Sequence, residues 1–141
     1  MKRPGTIPPR FEEFDWTVTQ AQIDAYAAAA GANDPIHIDS AGRAHAGGTI
    51  AQGMLVLAVM AEYVADSVCR RSAWQELGAI DVRFRAPARP GERLTFHAAL
   101  IGEAPAEPHE GFVSYELWCE NAAGTRIVEG TARIPLDAFA I

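Results

Sequence analysis

The sequence predicts an α+β domain in which a curled antiparallel sheet wraps around one long central helix. A strongly apolar helical pattern runs from about residue 50 to 71, and a series of alternating strand patterns follows it as far as residue 134. The first half of the helix is apolar almost all round, which predicts that this half is buried. A sheet that curls around such a helix covers it and uses the strands that follow.

A short strand and a capped helix are predicted before the long helix. Apolar and polar residues alternate over 14–18, which is the period of a half-buried strand. Thr19 and Gln22 match a capping box, and apolar residues then recur at helical spacing until Gly31, which suits a helix C-terminus. A further short helical piece is expected over 39–46.

Four more strands are predicted after the long helix. Their alternating segments are 80–86, 94–100, 113–119 and 125–134, separated by turns rich in Pro, Gly and Asn. Gly130 interrupts the last strand, and this position predicts a close backbone approach or a bulge.

Size and composition favour one globular domain that spans residues 1–141, with 49% hydrophobic and 21% charged residues. The net charge of −6 and only 12 Lys and Arg residues argue against a nucleic-acid partner. The longest apolar stretch, 54–61, is too short to cross a membrane, and no signal-peptide pattern is present, so a cytoplasmic location is expected. Cys69 and Cys119 lack the spacing of a zinc site or a disulfide framework and are expected to be buried thiols.

An acid and an imidazole lie close together in the segment Asp34-Pro35-Ile36-His37. Pro35 disfavours helical geometry at Asp34, so a stiff, non-helical loop is predicted that can aim both side chains at one point. The glycines that follow precede the apolar helix, where free backbone N–H groups and the helix dipole favour an anion. The segment therefore suggests a proton-transfer pair beside an anion site.

Four segments together resemble the MaoC-like dehydratase family, which is related to (R)-specific enoyl-CoA hydratases. They are 31–39, 48–54, 83–87 and 90–91. Family members carry Asp, Asn, Pro and His in the first segment and His-Gly-Met at the start of the central helix. The resemblance covers most of the chain and implies a hot-dog fold, usually dimeric, with a thioester tunnel near the subunit interface.

This chain departs from the family pattern at several positions. Ala32 stands where the family has its catalytic Asp, and Asp34 stands where the family has Asn. Gln52 replaces the His before Gly53, whereas His37 and Gly53 match the pattern.

The resemblance implies hydration of trans-2-enoyl thioesters of CoA or acyl carrier protein, or dehydration of (R)-3-hydroxyacyl thioesters. His37 is expected to act as the base, and Asp34 to orient the water or the imidazole and to share the proton transfer. The backbone N–H of Gly53 would stabilise the developing oxyanion, with Met54 and Gln52 as further substrate-binding residues. No cofactor or metal is implied, because the reaction is proton transfer on an activated thioester.

Other interpretations of the same residues remain. His37 can be a buried histidine bonded to a backbone carbonyl, and Asp34 can simply bond its own backbone. Ala32 is compatible with a non-catalytic thioester-binding subunit in a hot-dog heteromer, in place of an active homodimer. A thioesterase would place its acid on the central helix, where Glu62 lies. The arginines around one predicted hairpin can bind a phosphorylated ligand or can be solvated surface residues. They are Arg83, Arg85, Arg89 and Arg93.

Overall fold

The computed structural model describes residues 2–32, 34–38, 48–103 and 111–141. The helical piece expected over 39–46 lies outside these residues. Along the chain the elements are β1 (Phe14–Thr17), α1 (Gln20–Ala30), α2 (Pro35–Ile38), α3 (Gly53–Ser67), α4 (Arg71–Leu77), β2 (Ala79–Phe84), β3 (Arg93–Leu100), β4 (Phe112–Glu120), β5 (Arg126–Pro135) and a closing 3₁₀ turn (Leu136–Phe139).

The five strands form one antiparallel sheet in the order β1-β3-β4-β5-β2. Every second residue along β4 is buried, so one face of the sheet contributes to the core. Helix α3 supplies residues to the same core. The central members, each at most 2% exposed, are Val56, Met60, Val64, Phe96, Leu117 and Ile134. The predicted α+β class is confirmed.

Helix α1 begins and ends where the sequence predicts. The Thr19 hydroxyl accepts a hydrogen bond from the Gln22 N–H at 3.2 Å, and the Gln22 side chain accepts one from the Thr19 N–H at 3.2 Å. Gly31 closes the helix in the left-handed conformation, with φ of 70°. These contacts confirm the predicted capping box and C-cap.

The prediction of a non-helical loop from Asp34 to His37 is wrong, because residues Pro35–Ile38 form the single helical turn α2. Pro35 is its first residue, a position where the missing N–H has no helical partner to lose and the fixed φ already suits a helix. The His37 N–H closes the turn by donating to the Asp34 carbonyl at 2.9 Å.

The long helix is shorter than predicted, and its first half is less buried. It begins at Gly53 and ends at Ser67, and a separate helix, α4, follows it. Met54 is 56% exposed, whereas Met60 and Val64 are fully buried. The first half faces an open groove, which an apolar pattern alone does not distinguish from a packed core.

Helix α4 folds back on α3 through a tryptophan. Trp74 is buried, and its indole N–H donates to the Ala61 carbonyl of α3 at 3.2 Å. A Cβ on Gly78 would meet the Trp74 ring at 2.1 Å, so only glycine allows the ring to lie there. The chain then enters β2 directly.

The N-terminal segment packs into the core through aromatic rings. Phe11 is buried, and its ring centroid lies 4.5 Å from that of Tyr115. The Tyr115 hydroxyl donates to the Pro8 carbonyl at 2.5 Å, and the Tyr63 hydroxyl donates to the Glu12 carbonyl at 2.9 Å. Burial raises the pKa of both phenols, so both remain protonated donors.

Gly130 lies where β5 comes unusually close to β2, as predicted. It pairs with Val82 in register, and a Cβ at Gly130 would lie 2.0 Å from the Asp81 carbonyl oxygen. The same Cβ would lie 2.6 Å from the Val82 Cα. The spacing of these two strands therefore depends on the absence of a side chain.

Candidate active site

A groove of about 620 Å³ opens between α2, the start of α3 and the segment that follows β2. Its lining is mainly apolar, and it contains the imidazole predicted from the sequence together with the start of the central helix. The lining includes His37, Ile50, Gly53, Met54 and Phe84.

The His37 ring is held by one hydrogen bond to the backbone. Its Nδ1 lies 2.8 Å from the Ile50 carbonyl oxygen. A carbonyl can only accept, so Nδ1 carries a proton, and in the neutral ring Nε2 keeps its lone pair. No described residue hydrogen-bonds to Nε2. The ring is half-buried, and the bond holds it in the tautomer that can accept a proton at Nε2.

Asp34 lies at the start of α2, with an exposed side chain. Its Oδ1 accepts a hydrogen bond from the Ile36 N–H at 3.4 Å, which is the geometry of a weak helix cap. The carboxylate is absent from the groove lining. The structure therefore brings the Asp34 backbone, rather than its carboxylate, into contact with His37.

The first two residues of α3 line the groove and carry backbone N–H donors that no described residue accepts. The first hydrogen bonds of the helix run from the Leu55 and Val56 N–H groups to the Gln52 carbonyl, at 3.1 and 3.2 Å. The Gly53 and Met54 N–H groups have no acceptor among the described residues. Free donors at a helix N-terminus favour negative charge, so His37 shares the groove with a potential anion site.

Phe84 packs directly against Gly53. A Cβ on Gly53 would lie 2.9 Å from the Phe84 Cε1 atom, so glycine is what lets the ring approach the helix start. The Phe84 side chain is nevertheless 52% exposed, because β2 is an edge strand. The alternating strand pattern places Phe84 on the apolar face but gives no sign that it lines a groove.

Gln52 is buried beside the groove rather than in its lining. Its Nε2 donates to the Ile23 carbonyl of α1 at 3.1 Å, which ties the start of α3 to α1. Its Oε1 is buried without a hydrogen-bond partner among the described residues. The sequence places Gln52 next to Gly53 but does not show that its side chain turns toward the core.

Two arginines of the predicted cluster donate hydrogen bonds to acceptors within the chain itself. Arg85 Nε donates to Glu129 Oε1 at 2.7 Å, and Arg89 donates to the Gly48 carbonyl at 3.2 Å. These contacts favour structural roles for both side chains.

Within 2–32, 34–38, 48–103 and 111–141, no cluster of three or more His, Cys, Asp and Glu side chains is arranged to hold a metal ion. In the part of the chain that the structure describes, no helix has the length and apolar character needed to cross a membrane.

Comparison with known structures supports the fold. The chain is 27% identical to a monoamine oxidase regulatory protein from Archaeoglobus fulgidus, with a TM-score of 0.71 over 92% of this chain and 90% of that one. It is 23% identical to the unliganded (R)-hydratase PhaJ1 from Pseudomonas aeruginosa, with a TM-score of 0.73 over 89% of this chain and 78% of that one. These similarities confirm the expected hot-dog fold.

A component of the ChsH1-ChsH2 complex from Mycobacterium tuberculosis is also similar in fold, with 15% identity and a TM-score of 0.73 over 93% of this chain and 98% of that one. A sequence comparison with curated proteins found no match.

The sequence model of the MaoC-like domain matches residues 7–120, which is most of the chain. This span includes α2, the start of α3 and the strand segment that borders the groove. The resemblance in four short segments is therefore part of a match that extends from β1 to β4, and the chain belongs to the MaoC-like dehydratase family of hydratases and dehydratases.

Proposed function

We propose that this protein adds water to trans-2-enoyl thioesters of CoA or acyl carrier protein, and in the reverse direction dehydrates (R)-3-hydroxyacyl thioesters. The observation that carries the proposal is the shared groove, in which neither the His37 Nε2 acceptor nor the Gly53 N–H donor has a partner among the described residues. The apolar wall formed by Met54 and Phe84 suits an acyl chain.

The proposed reaction begins with proton transfer from water to His37 Nε2 as the water oxygen attacks the β-carbon. Electrons of the double bond move toward the thioester carbonyl, whose oxygen gains negative charge and accepts a hydrogen bond from the Gly53 N–H. The imidazolium then returns the proton to the α-carbon, which restores the carbonyl. The Nδ1 bond to Ile50 keeps Nε2 as the reacting nitrogen throughout.

Replacement of His37 by alanine tests the base. A positioned base contributes about 10² to 10⁴ in rate, so H37A should lose that much hydration activity. The assay follows the loss of absorbance of the conjugated enoyl-CoA on short, medium, branched and aromatic acyl chains. Gln75→Ala, on the exposed side of α4, is the matched control. Hydration by H37A at the parent's rate would refute the assignment.

The Asp34 carboxylate is proposed to orient the water or the imidazole during proton transfer, although its position also suits a helix cap. Asp34→Asn separates these two roles, because asparagine caps a helix as well as aspartate does but cannot accept a proton. A loss of rate in D34N supports proton sharing. Full activity in D34N restricts Asp34 to the cap.

A second candidate function is a non-catalytic thioester-binding or partner subunit, and Ala32 favours it. Ala32 stands where the family carries its catalytic Asp, and it lies just before α2. If this candidate is correct, the parent is inactive on every acyl chain and Ala32→Asp gains hydration activity. The result of the enoyl-CoA assay on the parent therefore decides between the two functions.

We also propose that two copies of the chain pair through β2, an edge strand whose outer side pairs with no described strand. An antiparallel two-fold pairing centred on Val82 places Asp81 opposite Arg83 of a second copy and Ile80 opposite Phe84 of that copy. Neither Asp81 nor Arg83 has an ion-pair partner among the described residues. The strand is therefore complementary to itself in charge and in apolar character.

Light scattering after size exclusion measures this association. Arg83→Asp should give a monomer, because it places like charges opposite each other, and the double exchange Asp81→Arg with Arg83→Asp should restore the dimer. A dimer that persists in R83D, or a parent that is monomeric, would contradict pairing through β2. If the chain instead forms a heteromer, the parent alone is a monomer and enters a larger complex only when a related chain is added.

A further inference from the structure

The side chain of Gln20 connects helix α1 to the helical turn α2, which carries His37. Its Nε2 donates to the His37 carbonyl at 2.9 Å and to the Asp24 carboxylate at 2.9 Å. Its Oε1 accepts from the Thr49 hydroxyl at 2.5 Å. The opposite amide orientation would point Oε1 at a carbonyl and a carboxylate, so these partners fix the orientation of the amide.

Thr49 extends the connection to the atom that holds the imidazole. It is only 8% exposed, and it directly precedes Ile50, whose carbonyl accepts from His37 Nδ1. The Ile50 N–H donates in turn to the Ile36 carbonyl at 3.1 Å. Gln20 therefore contacts both the backbone of His37 and the segment that orients the His37 ring.

We infer that Gln20 and Thr49 are positioning residues that hold the His37 imidazole in the Nδ1-protonated tautomer, with Nε2 directed into the groove. The inference rests on the proposed function, because it assigns a purpose to the base named there. Neither residue lines the groove, so neither is expected to touch substrate. Both act through the backbone of residues 36, 37 and 50.

The test removes each hydrogen bond while keeping the side-chain volume. Gln20→Met and Thr49→Val should each lower kcat about 10- to 100-fold with KM nearly unchanged, because a misplaced catalytic group affects turnover more than binding. Thr49→Ser keeps the hydroxyl and should retain most of the parent's kcat. Gln75→Met, which makes the same exchange at an exposed position on α4, is the control and should match the parent.

The ¹⁵N signals of the His37 ring provide a readout that loss of stability alone would not move. In the parent, the Nδ1 resonance should be that of a protonated nitrogen at neutral ring charge, and in Q20M and T49V the proton should shift partly to Nε2. Thermal unfolding confirms that each variant is folded. If Q20M does not fold, T49V decides the question, because valine fills the space of a buried threonine.

The outcomes separate this inference from the proposed function. Parent-like kcat and ring signals in both Q20M and T49V would overturn the positioning role. If H37A keeps full hydration activity, the assignment of the base fails, but a tautomer shift in Q20M would still show that Gln20 holds the ring. If Q20M and T49V lose kcat and show the tautomer shift, while T49S shows neither change, the positioning role and the proposed function are both supported.

Discussion

Replacement of Gly130 by alanine should open the sheet between β2 and β5. The new Cβ would lie 2.0 Å from the Asp81 carbonyl oxygen, where ordinary contacts begin at 3.4 Å. Both close atoms, this oxygen and the Val82 Cα, belong to the backbone, so no side-chain rotation can relieve the contact. Overpacking costs about 1–3 kcal/mol, and a backbone contact places G130A at the upper end, about 3 kcal/mol.

Urea unfolding followed by circular dichroism measures this loss, with Thr131→Ala as the control. Thr131 is exposed and adjacent, so its replacement should change the free energy of unfolding by no more than about 0.5 kcal/mol. Because Phe84 ends β2 and lines the groove, G130A should also lower hydration activity. A loss below about 1 kcal/mol, with hydration unchanged, would refute the close approach of the strands.

Three further measurements test other parts of the structure. Gln52→Leu should leave the free energy of unfolding within about 1 kcal/mol of the parent, because the loss of the Nε2 bond to the Ile23 carbonyl is offset by removal of the buried Oε1, which has no partner among the described residues. It should also retain hydration, because the side chain lies outside the groove lining, and a tenfold loss of rate would contradict this. Burial raises the pKa of the Cys119 thiol to about 12, so at pH 8 a disulfide reagent should modify only the half-buried Cys69 in the folded protein, and rapid modification of both would contradict it. A hydrogen bond from Arg126 lowers the pKa of Glu129 below 4.5, so the stability it adds is present above pH 4.5 and is lost as the pH falls through the lowered pKa. The Tm difference between the parent and Glu129→Gln should therefore be present at pH 7 and close on acidification, and a constant difference would exclude the ion pair as its source.

Much of the fold follows from local patterns. The Thr19 cap and the Gly31 stop depend on hydrogen bonds and backbone angles that neighbouring residues determine, so the sequence alone predicts α1. The four later strands follow from alternation, and Gly130 predicts the close approach of two of them. The helix caps involve residues that are close in sequence, and the strands follow a pattern with a simple period.

The wrong predictions concern burial and helix boundaries. An apolar residue such as Met54 gives the same pattern whether it faces a core or an open groove, so its exposure depends on packing that periodicity does not describe. Helix α4 was not predicted, because it is short and is stabilised by burial of Trp74 against α3. Pro35 indicated a loop, but the same residue also suits the first position of a helix.

The candidate site was predictable only in part. Resemblance to the family indicated His37 and Gly53, and the structure brings them into one groove. The contacts of Gln20 with His37 and Thr49 join residues 17 and 29 positions apart, and no motif marks them. Side-chain direction at Gln52 likewise depends on how α1 lies against α3, which is a tertiary property.

The aromatic attachment of the N-terminal segment has a practical consequence for shortened versions of this protein. A chain restarted at Phe14 would lose Phe11 from beneath Tyr115 and would leave the hydroxyls of Tyr63 and Tyr115 without the carbonyls they now donate to. The loss of the Phe11 ring and the two phenol hydroxyls left without acceptors would together destabilise the core at a distance from the new N-terminus. The first thirteen residues thus contribute Phe11 to the hydrophobic core, and a version of the protein that lacks them should be less stable.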